Sequence, residues 1–142
     1  MKKTIVVVVL SVMALAGCQA MKFKHGVPDP LMPRVFVQND AVIVVDQEPI
    51  YVVQRDQNTI VWRLDPNGAY MFSRDEKQHP GIEFVAQGDR PKLNAACARV
   101  ADDPRAYSCT YARAPKGKYF YKITATRDDA RFVTSDPTLM ND

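Results

Sequence analysis

Three cysteines and two histidines are the residues of this chain best equipped for chemistry. A cysteine acts as a nucleophile only when a base within reach and a positive environment hold it as the thiolate. The available bases are His25, in a proline-containing stretch near the chain start, and His79. Neither stands in a pattern that sets it beside a thiol, so no catalytic residue is assigned and the chain reads as non-enzymatic. Pairing of Cys97 with Cys109 is the better use of these sulfurs. They lie symmetrically about Asp103, inside the turn-forming stretch ADDPRA. If residues 94–100 and 106–112 form a hairpin around that turn, the two cysteines face each other across the strands. A non-hydrogen-bonded cross-strand pair is close enough for a disulfide. Closing so short a loop stabilises the fold by about 3 kcal/mol in the chain-entropy model.

The carboxylate pairs Asp102-Asp103 and Asp128-Asp129 fall in turn-like stretches, where such residues mostly accept local backbone hydrogen bonds. A Ca²⁺ loop needs more oxygen ligands at defined spacing. No GxSxG, HExxH, CxxC or phosphate-binding loop occurs. No cofactor and no metal are therefore expected. A weak surface metal site using His79 or His25 with a methionine stands as an alternative.

The chain opens MKKTIVVVVLSVMALAGCQA, a short basic head followed by an apolar run from Ile5 to Leu15. Such a run spans only about half of a hydrocarbon core, which fits a secretory signal rather than a transmembrane helix. Leu15-Ala16-Gly17-Cys18 resembles the bacterial lipobox. That resemblance implies a signal peptide over residues 1–17, cleavage before Cys18 and lipidation of its thiol and amine. Two or more acyl chains anchor a protein stably where one does not. Gln19 rather than Asp after the cysteine implies an outer-membrane destination, facing the periplasm. Without Lys2 and Lys3 the formal charge falls from +3 to +1, so no global field favours nucleic acid. An oxidising envelope in turn favours the Cys97–Cys109 pair.

The elements that must hold these residues are strands. Residues 18–33 carry three prolines and little apolar pattern, and read as a lipid-anchored tether of at most roughly 45 Å. A single domain is expected over residues 34–142. Strands are expected over 35–37, 41–45, 50–53, 59–64, 70–73 and 82–85, with turn residues between them. Ile60, Trp62 and Leu64 alternate with Val61 and Arg63, marking one buried face. In the C-terminal half, Tyr107, Cys109 and Tyr111 share a face. Tyr119, Tyr121, Ile123 and Ala125 continue the apolar pattern, with Lys122, Thr124 and Thr126 expected to face water. Residues 92–101 (KLNAACARVA) are the one stretch that also admits a short helix, and TSDPTLMND is expected to end as a frayed tail. Many short strands at this spacing predict an all-β, Greek-key β-sandwich with one internal disulfide.

Glu48-Pro49-Ile50-Tyr51-Val52, Val61-Trp62 and the later Tyr107, Cys109, Thr110 and Gly117 resemble the strand and loop pattern of cupredoxins. The resemblance implies a Greek-key sandwich in which a Cys-His-Met loop holds copper before a domain-ending strand. Here Ala112 and Pro115 occupy the places of the ligand His and Met, so the copper site does not carry over. An immunoglobulin-like sandwich fits the same strands.

The chain is thus expected to be a lipid-anchored periplasmic or outer-membrane lipoprotein. Its partners would be the membrane, through the N-terminal lipid, and a protein or other component of the envelope. One alternative is an inhibitor or immunity-type protein against a cell-wall-degrading enzyme, inserting loop RDEKQHPG or APKGK into an active site.

Overall fold

The computed structural model describes residues 29–128 and 131–142. Cys18, His25, the signal peptide and most of the tether lie outside the described residues. The described chain is all-β, with its strands in two sheets and a Cys97–Cys109 disulfide.

The first sheet runs β2 (Val42–Val45), β1 (Arg34–Gln38), β4 (Gln57–Leu64), β8 (Ala106–Ala112), β7 (Ala95–Arg99). The second is organised on β9 (Gly117–Arg127), the longest strand at eleven residues. One side of β9 pairs with β5 (Met71–Phe72) and β6 (Ile82–Val85). The other pairs with β10 (Arg131–Ser135) and β11 (Thr138–Asn141), and β3 (Ile50–Val52) lies beyond β11. Pairing is antiparallel except for β1 with β4 and β3 with β11, which are parallel. The chain passes from the first sheet to the second between β2 and β3, across a cis Glu48–Pro49 bond.

Local chemistry sets the turns. Asn39 and Asp40 take left-handed φ values of 51° and 54°, which their short polar side chains tolerate. Ala41 N–H then donates to Gln38 O at 3.1 Å and closes the β1–β2 turn. Between β7 and β8, Asp102 is left-handed and Asp103 Oδ1 accepts from Arg105 N–H at 3.0 Å. Asp103 Oδ2 also meets Arg63 Nη1 at 3.0 Å, tying the turn to β4. The chain is held before β1 as well: Leu31 O and Pro33 O accept from Val61 and Arg63 N–H.

The core lies between the sheets. β4 alternates buried and exposed along its length, and Trp62 is fully buried, as the sequence pattern predicts. Its ring packs on Tyr121 at 5.2 Å and Phe84 at 6.3 Å between centroids. Each such side chain contributes about 1.5–3 kcal/mol by leaving water. Tyr107, Cys109 and Tyr111 share the buried face of β8, and Tyr119, Tyr121, Ile123 and Ala125 that of β9.

Residues 95–99 are strand β7, as the hairpin over 94–100 and 106–112 predicts, and not the short helix that 92–101 also admits. Alanine favours a helix locally, but the unpaired edge of β8 offers a ladder that a helix cannot use, and tertiary pairing overrides propensity. Two expectations are corrected. Thr124 and Thr126 do not face water, each being only 2% exposed. Thr126 pairs with Phe132, so both point to one face of the sheet, and the His79 ring lies on Phe132 at 4.7 Å. The loop between β5 and β6 thus reaches that face at Phe132, which itself stays 44% exposed. Finally, the C-terminus is not frayed: Asp142 N–H donates to Val52 O at 3.0 Å, and Gln54 N–H donates to Asp142 O at 2.8 Å.

Candidate functional site

The hairpin of β7 and β8 places Cys97 opposite Cys109 with 4.0 Å between Cα atoms, the short spacing of a non-hydrogen-bonded pair. Their bond consumes both thiols, so Cys109 is a strut between neighbouring strands and holds no free thiolate. The bridge lies within one sheet, unlike the inter-sheet bridge of antibody domains. Cys109 is fully buried, whereas Cys97 is only half-buried, because β7 borders a cleft.

That cleft, of about 570 Å³, opens between the first sheet's edge at β7 and the second sheet's edge at β6. Cys97, Ile82, Phe84 and Tyr107 line its apolar part. Tyr107 is held at one end, where its hydroxyl donates to a Glu76 carboxylate oxygen. Burial, and then the hydrogen bond to Glu76, push that phenol well above its ordinary value. Around the rim, Lys92 Nζ stands 3.7 Å from Glu83 Oε1. Arg74 and Arg99 also line the cleft and meet no carboxylate among the described residues.

The stretch 113–117 sits at the other end of β8 and β9, and side chains engage its Ala114 and Pro115 carbonyls. Gln54 Nε2 donates to Ala114 O. Asn141 Nδ2 donates to Ala114 O at 3.1 Å and Pro115 O at 3.2 Å, and Tyr119 Oη donates to Pro115 O at 2.8 Å. Asn141, buried on β11, also accepts from Tyr111 Oη at 3.3 Å, which joins the two sheets through polar groups. Burial, with Tyr119 nearby, pushes the Tyr111 phenol up to about 12. Of the two positions where the copper-loop pattern would put ligands, Ala112 ends β8 opposite Gln57 and Pro115 belongs to the turn pinned by these hydrogen bonds. The turn leads into β9, after which β10 and β11 complete the chain.

The stretch RDEKQHPG is likewise folded down. Asp75 Oδ1 accepts from Lys77 and Gln78 N–H, Asp75 O accepts from His79 N–H, and His79 rests on Phe132. It and the 113–117 turn stand at opposite ends of β9, so they form no common surface. No group of three or more His, Cys, Asp or Glu side chains is close enough to hold a metal ion among the described residues.

Sequence reasoning located the disulfide and the Tyr107 face but missed the cleft, Arg74, Arg99, Asn141 and the Tyr107–Glu76 contact. Asn141 carries no signal in its neighbourhood, since its partners lie far away along the chain. The chain matches no known protein-family model and no characterised protein.

Proposed function

We propose that this chain is a non-catalytic lipoprotein, anchored through Cys18 in the outer membrane and facing the periplasm, whose sandwich binds a protein or another envelope component. The observation that carries this reading is Leu15-Ala16-Gly17-Cys18 ahead of a disulfide-locked domain. A lipobox supplies the anchor, and a disulfide suits the oxidising side of the membrane. With Cys109 bonded to Cys97, the one thiol pair that invited nucleophilic or copper chemistry has a structural use. We read the sandwich as cupredoxin-like rather than immunoglobulin-like. Two parallel strand pairs and an intra-sheet disulfide support that choice, because antibody-type sheets are antiparallel and bridged across the sandwich.

Two measurements test this. Metabolic labelling with palmitate should mark the wild-type chain and not Cys18→Ser; equal labelling, or none in the wild type, refutes the anchor. Crosslinking in intact cells followed by mass spectrometry should recover a reproducible envelope partner. Recovery of a lytic enzyme points to the inhibitor reading instead, and hydrolase activity of the purified chain overturns both.

A further inference from the structure

The cleft beside the disulfide is bounded by two strand edges that face each other without pairing. Val100 N–H donates to Ala106 O, so Val100 and Ala106 are a hydrogen-bonded pair. Antiparallel pairs alternate, which makes Ala98–Ser108 and Ala96–Thr110 the next bonded pairs along β7. The N–H and C=O groups of Ala95, Cys97 and Arg99 therefore point away from β8, and none has a backbone partner among the described residues. The same counting applies to β6. Thr124 N–H donates to Gly81 O, so Gly81 and Glu83 bond to β9 while the backbone groups of Ile82 and Phe84 point away from it. One sheet edge thus meets the opening with a ladder of free donors and acceptors five residues long.

An exposed edge of this kind is a template for another strand, and natural folds usually blunt it with charge, proline or cover. β7 instead presents alanine at 95, 96 and 98, leaving room for an approaching backbone. At its end, Arg99 stands free of any carboxylate among the described residues, as does Arg74 across the cleft. The neighbouring acids are engaged by other groups: Glu76 by the Tyr107 hydroxyl and Glu83 by Lys92. Asp102, on the exposed turn beyond Arg99, lines the cleft as well but makes no ion pair with either arginine. The cleft volume of about 570 Å³ lies within the range of ordinary ligand pockets.

We infer that the cleft between β6 and β7 receives an extended peptide segment of a partner protein, which adds as a strand to β7 and sets a carboxylate against Arg99 and Arg74. Main-chain bonds to Ala95, Cys97 and Arg99 supply affinity without sequence preference. The two guanidiniums choose an acidic residue or a chain terminus, through charge-assisted bonds stronger than neutral ones. Alternate side chains of the guest fall on Phe84 and Ile82 at the cleft floor. This inference rests on the binding-module reading above and names the class of partner and the edge that takes it.

The test is selection of a random heptapeptide display library on the purified full chain, followed by amide hydrogen exchange with the best synthetic peptide. The expected peptides alternate apolar residues and carry at least one acid. Binding should fall about tenfold or more in Arg99→Glu and in Ala95→Pro. The proline removes an N–H that makes no bond to β8, so β7 itself should persist; an unchanged non-reduced disulfide and unchanged near-ultraviolet circular dichroism check this. In the free protein the amides of Ala95, Cys97 and Arg99 should exchange quickly beside protected Ala96 and Ala98, and the peptide should slow all three. The inference is overturned if no peptide is enriched, if enriched peptides bind both variants as well as wild type, or if sedimentation shows β7 occupied by a second copy of this chain. If an envelope protein is still crosslinked in cells after such a result, the binding-module reading survives and only the site is wrong.

Discussion

Gly81 immediately precedes β6 and lies against the Tyr107 ring, and its replacement by alanine sets two opposed effects against each other. A methyl group there would stand 2.6 Å from Tyr107 Cδ2 and Cε2 and 3.0 Å from Phe72 Cβ. Carbon atoms pack at about 3.5–4.0 Å, so the ring must retreat by about 1 Å. Tyr107 has little freedom to do so. It is fully buried, packs on Phe72 at 5.5 Å between centroids and is tethered through its hydroxyl to Glu76. Overpacking of this kind costs about 1–3 kcal/mol. Against it, alanine restricts the unfolded chain and favours folding by about 0.4–1 kcal/mol at a position whose φ it can adopt. Gly81 shows no left-handed φ, so that gain applies, and the steric cost exceeds it. The expected net effect of Gly81→Ala is a loss of about 1–2 kcal/mol, read as a lower urea midpoint and a melting temperature about 5 °C below wild type. Gly68→Ala is the control. Its new methyl would meet Asp65 O at 3.4 Å and Asp65 Cβ at 3.9 Å, close to ordinary contact, and should change stability by less than about 0.5 kcal/mol. A Gly81→Ala variant as stable as wild type would show that Tyr107 is not clamped between Phe72 and Glu76.

Three further outcomes follow from the same geometry. Replacing Cys97 and Cys109 together by alanine should lower the unfolding free energy by about 3 kcal/mol, and two free thiols titrating in non-reduced protein would refute the bridge. Asn141→Ala should cost about 2–3 kcal/mol by urea unfolding, because the buried amide serves Ala114 O, Pro115 O and Tyr111 Oη at once; a change below about 0.5 kcal/mol would mean the 113–117 turn holds itself. Tyr107, Tyr111, Tyr119 and Tyr121 all keep their protons beyond the usual phenol range, mainly through burial. Both states are neutral at these groups below about pH 10, and the unfolded chain loses its protons first, so stability should fall as pH rises from about 10 to 12. Urea midpoints that stay flat across that window would contradict the burial of these phenols.

The sequence by itself determined the features whose partners are close along the chain or repeat with period two. Alternation marked Ile60, Trp62 and Leu64 as one buried face, and the symmetry of Cys97 and Cys109 about Asp103 was enough to draw their hairpin and disulfide. Tertiary structure decided whatever depends on a distant neighbour. Thr124 and Thr126 have the polarity of a wet face and are dry, and the loop carrying His79 reaches their face of the sheet at Phe132. KLNAACARVA admits a helix as well as the hairpin strand, and pairing with β8 decides for the strand. The 113–117 turn has the outline of a metal loop and is closed by Asn141, whose contribution no local pattern announces. The cleft could not be read from the sequence for the same reason. It exists because β7 ends one sheet and β6 edges the other, and which strand stands at an edge is a property of the whole strand order rather than of any segment.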